Sequence, residues 1–269
     1  MPCYRMLQAH SLLWHYLWVA PNAFLLLLAL LLLRRGFHKK YPFFFTFAIV
    51  GALGQLIVYA TDVIPSVTPG TWWLIFWAGL VIEGLLKFAL IGEIFGHIFD
   101  PYPSLARIGK FLIRGVGAAL VLAAALAAAY TPQDGLFGIV SGAHLLEQTI
   151  YLIEAGLLAF IFILSSYFHL SLIRPLFGIA LGLSISACVH LATWAVIANG
   201  GWANSTRSRL DFLNMATYHV CVLIWFYYLL VPGEARGETR ALSIDPPKGP
   251  SHKEELELWN RELERLVKQ

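Results

Sequence analysis

Long apolar stretches, separated by short polar segments, dominate the sequence. The hydrocarbon core of a bilayer is about 30 Å thick, and a helix needs roughly 20 apolar residues to cross it. Seven stretches meet this requirement, at 12–33, 42–64, 72–95, 115–130, 144–168, 176–198 and 210–231. They predict an all-α fold, a polytopic bundle of seven transmembrane helices that occupies residues 1–232.

Composition excludes the main alternative, an ordinary soluble domain. Only 13% of the residues are charged and 58% are hydrophobic, whereas a soluble domain has about 25% charged residues. So little charge cannot cover the surface of a globule of this size. The 19 basic residues barely exceed the 16 acidic ones, so a nucleic-acid partner is not expected. The lipid bilayer is the partner that composition predicts.

The distribution of lysine and arginine between the stretches predicts the orientation in the membrane. Eight of these residues lie in the segments on one side, among them Arg34, Arg35, Lys39 and Lys40, and three lie on the other side. Cytoplasmic loops are enriched in lysine and arginine. We therefore expect the N-terminus outside, the C-terminus in the cytoplasm, and a bacterial-type inner membrane as the location.

The tail after the seventh stretch divides into two parts. Residues 233–250 are rich in Gly, Pro and charge, which is typical of a flexible linker. Ser251 followed by Glu254 is a capping-box pattern that predicts a helix over 251–269. This helix is amphipathic, with an apolar stripe that would contact a cytoplasmic or membrane protein, a second copy of the chain or the membrane surface: Leu256, Trp259, Leu263 and Leu266.

Ionisable residues inside the predicted spans are the strongest functional signal. Glu83 and Lys87 are four residues apart on one helix face, and Glu83 lies about 16 Å below the outer boundary. Glu154 lies at a similar depth, about 15 Å. Glu93 and His97 fall near the cytoplasmic face, where we expect them to reach the headgroups. Charges near the middle of a bilayer are costly, so Glu83, Lys87 and Glu154 are candidate functional residues.

Other polar side chains from the predicted spans fall at about the same depth, so the sequence predicts a polar layer in the outer half of the bundle. Its candidate members are Gln55, Glu83, Lys87, Tyr151, Glu154, His190, Asn214, Tyr218 and His219. The layer could be a structural polar core or a pocket for a small ligand. It could also hold a metal through Glu83, Glu154, His190 and His219, or a haem between the two histidines. The identity of any cofactor stays open.

The sequence supports neither a hydrolase nor a retinal protein. No GxSxG or HExxH motif is present, so an enzyme is the less favoured interpretation. A retinal protein needs a lysine in the seventh span for a Schiff base, and 210–231 contains none.

The seven spans, their orientation and the tail sequence ELELWNRELERLVKQ resemble bacterial seven-helix sensor modules that precede histidine kinases. The resemblance implies a receptor that senses a small ligand or protons in the outer half and signals through its cytoplasmic tail. The chain departs from those receptors because no output domain follows the tail. A signal would therefore pass to a separate partner, in a monomer, a homo-oligomer or a larger membrane complex.

Overall fold

The computed structural model describes residues 10–99, 136–167, 173–200, 204–231 and 252–267, together with the single positions Phe111, Gly115, Ala118 and Leu122. Within these residues the chain is helical and contains no strand. The helices are α1 (Leu12–Arg34), α2 (Pro42–Val63), α3 (Pro69–Ile98), α4 (Leu136–Tyr167), α5 (Arg174–Gly200), α6 (Asn204–Leu230) and α7 (His252–Val267), with a single helical turn at Phe37–Lys40 between α1 and α2.

Six of the described helices, α1 to α6, are long and apolar enough to cross a membrane. They confirm the stretches predicted at 12–33, 42–64, 72–95, 144–168, 176–198 and 210–231. The stretch at 115–130 lies outside the described residues except for Gly115, Ala118 and Leu122, which are helical. The linker at 233–250 also lies outside them.

Large apolar side chains cover the outside of the helices. Leu74 is 70% exposed, Ile163 69% and Leu152 64%, while the fully buried core includes Leu25 and Ile91. A protein surrounded by water rarely exposes a continuous apolar surface of this kind. With six apolar helices of bilayer length, this surface makes the chain a multi-pass integral membrane protein.

The first helices begin at residues that satisfy their free N–H groups. The Ser11 hydroxyl accepts a hydrogen bond from the Trp14 N–H at 3.2 Å, and the Thr68 hydroxyl accepts one from the Thr71 N–H at 3.2 Å. Such N-caps provide an acceptor for a donor that has no partner inside the helix. Pro42 lies in the first turn of α2, where proline removes no hydrogen bond that the helix needs.

Contacts between the first three helices show that neighbours run in opposite directions. His15 Nδ1 near the start of α1 lies 2.9 Å from the Tyr59 hydroxyl near the end of α2. The Phe44 N–H at the start of α2 donates to Glu93 near the end of α3 at 3.1 Å. Helices α1 and α3 therefore run in the same direction, and α2 runs against both.

The last three spanning helices are arranged in the same way. Tyr151 of α4 stacks on His190 of α5, while Phe162 further along α4 contacts Phe177 near the start of α5. Helix α5 is thus antiparallel to α4. It is antiparallel to α6 as well, since its start contacts Tyr228, near the end of α6.

Helices α1 and α6 are parallel, and contacts between them connect the group α1–α3 to the group α4–α6. The Tyr218 hydroxyl of α6 donates to Asn22 of α1 at 3.4 Å, and Arg35 just after α1 donates to the Leu230 carbonyl at the end of α6 at 2.9 Å. Helices α1, α3, α4 and α6 consequently all begin at one end of the bundle. We call this the aromatic end, because Trp14, Trp18, Trp72 and Trp73 lie there, and the opposite end, with Arg34, Arg35, Lys39, Lys40 and Arg174, the basic end.

The closest helix packing occurs between α5 and α6, where two glycines of α5 face aromatic side chains of α6. A Cβ atom added at Gly178 would collide with Tyr228, and one added at Gly182 would collide with the Trp225 indole. That indole N–H donates to the Ile179 carbonyl at 3.3 Å. Small residues at such positions allow two membrane helices to approach closely.

Candidate functional site

A cavity of about 430 Å³ lies between the six spanning helices. This volume falls within the range of about 300–1,000 Å³ that small-molecule pockets occupy. Each spanning helix contributes polar or aromatic side chains to its lining, represented by Trp18 of α1, Gln55 of α2, Glu83 of α3, Tyr151 of α4, His190 of α5 and Asn214 of α6. Its lining extends from the tryptophans of the aromatic end to Phe47 and Trp225, which lie in the basic half of the bundle.

Lys87, a residue of the cavity lining, lies between two carboxylates. Its Nζ is 3.2 Å from Glu83 Oε1, one turn earlier on α3, and 3.3 Å from Glu154 Oε2 on α4. The Lys87 side chain is 6% exposed and Glu154 is fully buried, whereas the Glu83 side chain is 23% exposed. A buried charge needs a partner because desolvation is costly, and here one ammonium is shared by two carboxylates.

Glu83 connects this charge cluster to a third helix. Its second oxygen, Oε2, accepts a hydrogen bond from Gln55 Nε2 of α2 at 3.2 Å. Glu83 therefore bridges Lys87 and Gln55 while its side chain remains partly exposed at the cavity. Of the two carboxylates that contact Lys87, only Glu83 lines the cavity.

The Tyr151 ring contacts both Lys87 and His190 of α5. Lys87 Nζ lies 4.4 Å from the centroid of this ring, which is a cation–π distance. The same ring stacks on His190 with centroids 4.1 Å apart and an angle of 20° between the planes. His190 Nδ1 lies 3.2 Å from the Ser186 carbonyl, so it carries the hydrogen, because a carbonyl oxygen only accepts.

Helix α6 contributes neutral hydrogen-bonding groups to the cavity. Asn214 Nδ2 donates to the Thr193 hydroxyl of α5 at 3.2 Å. The Tyr218 hydroxyl donates to Asn22 of α1, whose own amide donates to the Trp18 carbonyl at 2.7 Å. These bonds hold α6 to α5 on one side and to α1 on the other.

His219 is placed differently from the rest of the predicted layer. Its ring lies against Tyr16 and Phe24, with centroids 5.8 and 5.7 Å away, and it does not line the cavity. Successive residues of a helix point about 100° apart. Because Tyr218 faces the cavity, His219 faces away from it, although both lie at the same depth.

This rotation places His219, one of the proposed metal ligands, away from the other candidates. The four proposed metal ligands, Glu83, Glu154, His190 and His219, do not converge, since His219 lies on another face of α6. A haem between the two histidines stays a prediction, and of the two only His190 lines the cavity. In the part of the chain that the structure describes, no cluster of three His, Cys, Asp or Glu side chains is arranged to hold a metal.

Several residues of the cavity were absent from the predicted layer. They are Trp14, Trp18, Asn22, Trp72, Trp73, Glu147, Ser186 and Asp211, among others. Helical spacing was a usable signal for some of them: Asp211, Asn214 and Tyr218 form one stripe on α6, and Glu147, Tyr151 and Glu154 form one on α4. Trp72 and Trp73 lie at the start of a predicted span, where tryptophan is generally enriched at the membrane interface, and no pattern within their own helix reveals a cavity.

Glu93 and His97 at the basic end have a different role from the predicted contact with headgroups. The Glu93 carboxylate accepts the backbone N–H groups of Phe43 and Phe44 at 3.3 and 3.1 Å, so it caps the start of α2. His97 Nδ1 lies 2.8 Å from the Glu93 carbonyl. Burial and the nearby Glu93 carboxylate together raise the pKa of Tyr41, which precedes α2.

The tail helix α7 makes no close backbone contact with another described helix. Of its predicted apolar stripe, Leu256 is buried, Trp259 is 59% exposed and Leu263 is half-buried. Leu266 belongs to the helix, and its side chain lies outside the description.

Comparison with known proteins adds no relative: the chain matches no family model, no curated protein and no solved structure.

Proposed function

We propose that this protein is a non-enzymatic, seven-helix membrane receptor or sensor. A small ligand or a proton acts at the cavity near the aromatic end, and the tail at the basic end transmits the change to a partner. The observation that carries this proposal is Glu83: its carboxylate contacts Lys87 and Gln55 and remains partly exposed in a cavity lined by six helices.

The directions of the helices support a seventh crossing. Helices α3 and α4 both begin at the aromatic end, so the chain that joins them has to return across the membrane. The predicted stretch at 115–130 lies in this connection. Because α1 and α6 are parallel, the chain enters at one side of the membrane and leaves at the other, which fits an odd number of crossings.

Charge supports the orientation. Arg34, Arg35, Lys39, Lys40 and Arg174 all lie at the basic end, and cytoplasmic surfaces carry the excess of lysine and arginine. The aromatic end and its cavity then face the outside of a bacterial-type inner membrane. The C-terminal tail lies in the cytoplasm.

A change at Glu83 would alter how the helices share charge. When a ligand or proton neutralises Glu83, Lys87 loses one of its two carboxylates and keeps Glu154, which lies 3.3 Å away on α4. The ion pair between Lys87 and Glu83 within α3 then weakens. The ion pair between Lys87 and Glu154, which connects α3 to α4, becomes the stronger of the two. A ligand that binds one packing more tightly than another shifts the population toward it.

The basic end supplies a route to the tail. Arg35 binds the last carbonyl of α6, Leu230, so a shift of α6 relative to α1 changes the point from which the tail departs. On α7, Leu258 and Trp259 are 56% and 59% exposed and provide an apolar surface for a partner. A change in the tail's position would alter access to that surface.

Hydrogen exchange of the tail tests the proposal, with protons as the probe. The purified full chain in lipid nanodiscs is compared at pH 5 and pH 8, and the exchange of α7 and of the end of α6 is measured by mass spectrometry. We expect the protection of these amides, after correction for the pH dependence of the intrinsic exchange rate, to differ between the two pH values in the wild type, and this difference to disappear in Glu83→Gln.

Asp62→Asn is the matched control, because Asp62 lies at the same end of the bundle and does not line the cavity. This variant should keep the pH-dependent difference. If the corrected protection changes with pH to the same extent in the wild type and in Glu83→Gln, or does not change in either, the proposed role of Glu83 as a proton-sensing switch is wrong.

A further inference from the structure

The acidity of the cavity indicates the charge of the molecule that it would bind. Its described lining contains three carboxylates, Glu83, Glu147 and Asp211, and one lysine, Lys87. The lysine is already within 3.3 Å of two carboxylates, one of which is the fully buried Glu154. An anion entering the cavity would lie among these carboxylates with no uncommitted ammonium to meet it, whereas a cation would be attracted.

The aromatic wall favours an organic cation over a metal ion. Trp14 and Trp18 contact each other at 4.6 Å, and Trp72 stacks on Phe76 at 5.4 Å with an angle of 9° between the planes. The negative face of an aromatic ring attracts a cation, tryptophan most strongly, and groups of such rings bind quaternary ammonium groups. A metal ion prefers a shell of oxygen or nitrogen ligands, and the described residues offer no cluster of this kind.

The size and polarity of the cavity agree with this assignment. Its volume of about 430 Å³ is far larger than an ammonium group alone, so the ligand would also carry an apolar body. Tryptophan side chains near the aromatic end would cover that body, while the Glu83 carboxylate would contact the charged group. Gln55, which donates to Glu83 at 3.2 Å, holds this carboxylate in place.

We propose that the cavity binds a small organic cation, a primary to quaternary ammonium compound, whose ammonium group contacts the Glu83 carboxylate and a tryptophan face while its apolar part lies against the remaining aromatic wall. This inference rests on the proposed function and names the ligand class for the same site. The bound ammonium competes with Lys87 for Glu83. Binding therefore leaves Lys87 to Glu154, the same redistribution of charge that we propose for the switch.

Three probes of nearly equal shape test the ligand class. Choline, its uncharged isostere 3,3-dimethylbutan-1-ol and the anion 3,3-dimethylbutanoate are titrated into the full chain in nanodiscs of uncharged lipid. Binding is measured by isothermal titration calorimetry and by the fluorescence of the tryptophans. We expect choline to bind at least about tenfold more tightly than the alcohol, and the anion to bind more weakly still.

Two pairs of variants connect this preference to the site. Glu83→Gln should remove the preference for choline over the alcohol, while Asp62→Asn should keep it. If Glu83→Gln does not yield folded protein, Trp18 provides a second pair: Trp18→Leu should lose most of the preference, and Trp18→Phe, which retains an aromatic face, should keep most of it. A preference that survives in both Glu83→Gln and Trp18→Leu overturns the proposal.

The outcomes separate this inference from the proposed function. If the alcohol or the anion binds as tightly as choline, the cation assignment is wrong, although a ligand cavity remains. If none of the three binds and the pH-dependent exchange of the tail persists, the cation assignment is also wrong, and protons alone act at Glu83. If choline binds with the expected preference while the tail does not respond to it, the ligand class stands and the sensor function fails.

Discussion

Lys87 is the basic residue that compensates the charges of two carboxylates inside the bundle. Its ammonium lies 3.2 Å from Glu83 and 3.3 Å from Glu154, and Glu154 is fully buried. Removing one partner of a buried ion pair leaves the other charge without compensation, which typically costs about 3–5 kcal/mol. The cost is larger than that of removing the pair together, because a neutral, well-packed replacement carries no desolvation penalty.

Lys87→Met should therefore lower the free energy of unfolding by about 3–5 kcal/mol, and the double variant Lys87→Met with Glu154→Leu should recover most of the loss. Reversible unfolding in mixed micelles of a mild detergent and sodium dodecyl sulfate measures both values. Lys39→Met, at an exposed position outside the spans, is the control and should change the free energy by less than about 0.5 kcal/mol. A double variant less stable than Lys87→Met would contradict this account.

Depth along a helix was predictable from the sequence for the carboxylates and histidines of the predicted layer, whereas the direction of a side chain around its helix was predictable only where several polar residues form one stripe. A rise of about 1.5 Å per residue places Glu83, Glu154 and His190 in the same half of the bundle, and the structure brings all three near Tyr151. The same arithmetic gives His219 a similar depth, yet its ring faces Phe24. His219 does not belong to the stripe of Asp211, Asn214 and Tyr218, and which neighbours surround a side chain outside such a stripe depends on the packing of the other helices.

At the scale of elements, hydropathy predicted the spanning helices well and their packing poorly. Helices α1, α2, α3 and α5 begin within three residues of the predicted stretches, and Ser11, Pro42 and Thr68 mark the first three starts. Helices α4 and α6 begin eight and six residues before the stretches predicted at 144–168 and 210–231. Glu93 was misassigned because a carboxylate near the end of one helix can cap the start of another, 49 residues away from Phe44. Such a partner becomes visible only when the neighbouring helix is known.

The α5–α6 contact depends on two glycines that the hydropathy of the sequence does not distinguish from other small residues. A methyl group at Gly178 would collide with the Tyr228 side chain close to its backbone, so the helices would have to separate. Overpacking a close contact typically costs about 1–3 kcal/mol. Separation of α5 from α6 would also weaken the hydrogen bond between Thr193 and Asn214 at the cavity.

Gly178→Ala should accordingly lower the free energy of unfolding by about 1–3 kcal/mol in the same mixed-micelle measurement. Gly156→Ala is the matched control, because Gly156 lies in α4 with nothing within 4 Å of an added Cβ. Alanine is the better helix former, so this control should be neutral or more stable by up to about 1 kcal/mol. Equal effects at the two positions would show that the approach of α5 to α6 is not limited by Gly178.

For the whole molecule, the directions of the helices constrain the topology more strongly than hydropathy does. Hydropathy counts candidate spans, and it leaves open whether a short, alanine-rich stretch such as 115–130 crosses the membrane. Parallel α3 and α4 favour the proposed return of the chain between them, and parallel α1 and α6 agree with the proposed odd number of crossings. The distribution of charge then selects which side is cytoplasmic.

Labelling of single cysteines tests this topology. With Cys3, Cys188 and Cys221 replaced by alanine, single cysteines are introduced at His10, Ser66, Lys39 and Leu258, all of which are exposed. We expect a membrane-impermeant maleimide to label His10→Cys and Ser66→Cys in intact bacterial cells, and to label Lys39→Cys and Leu258→Cys only after permeabilisation. Labelling of His10→Cys and Leu258→Cys from the same side would mean an even number of crossings, which contradicts the seven-helix proposal. Full reversal of the pattern would contradict only the orientation, because the helix directions would still require the two termini of the bundle to lie on opposite sides.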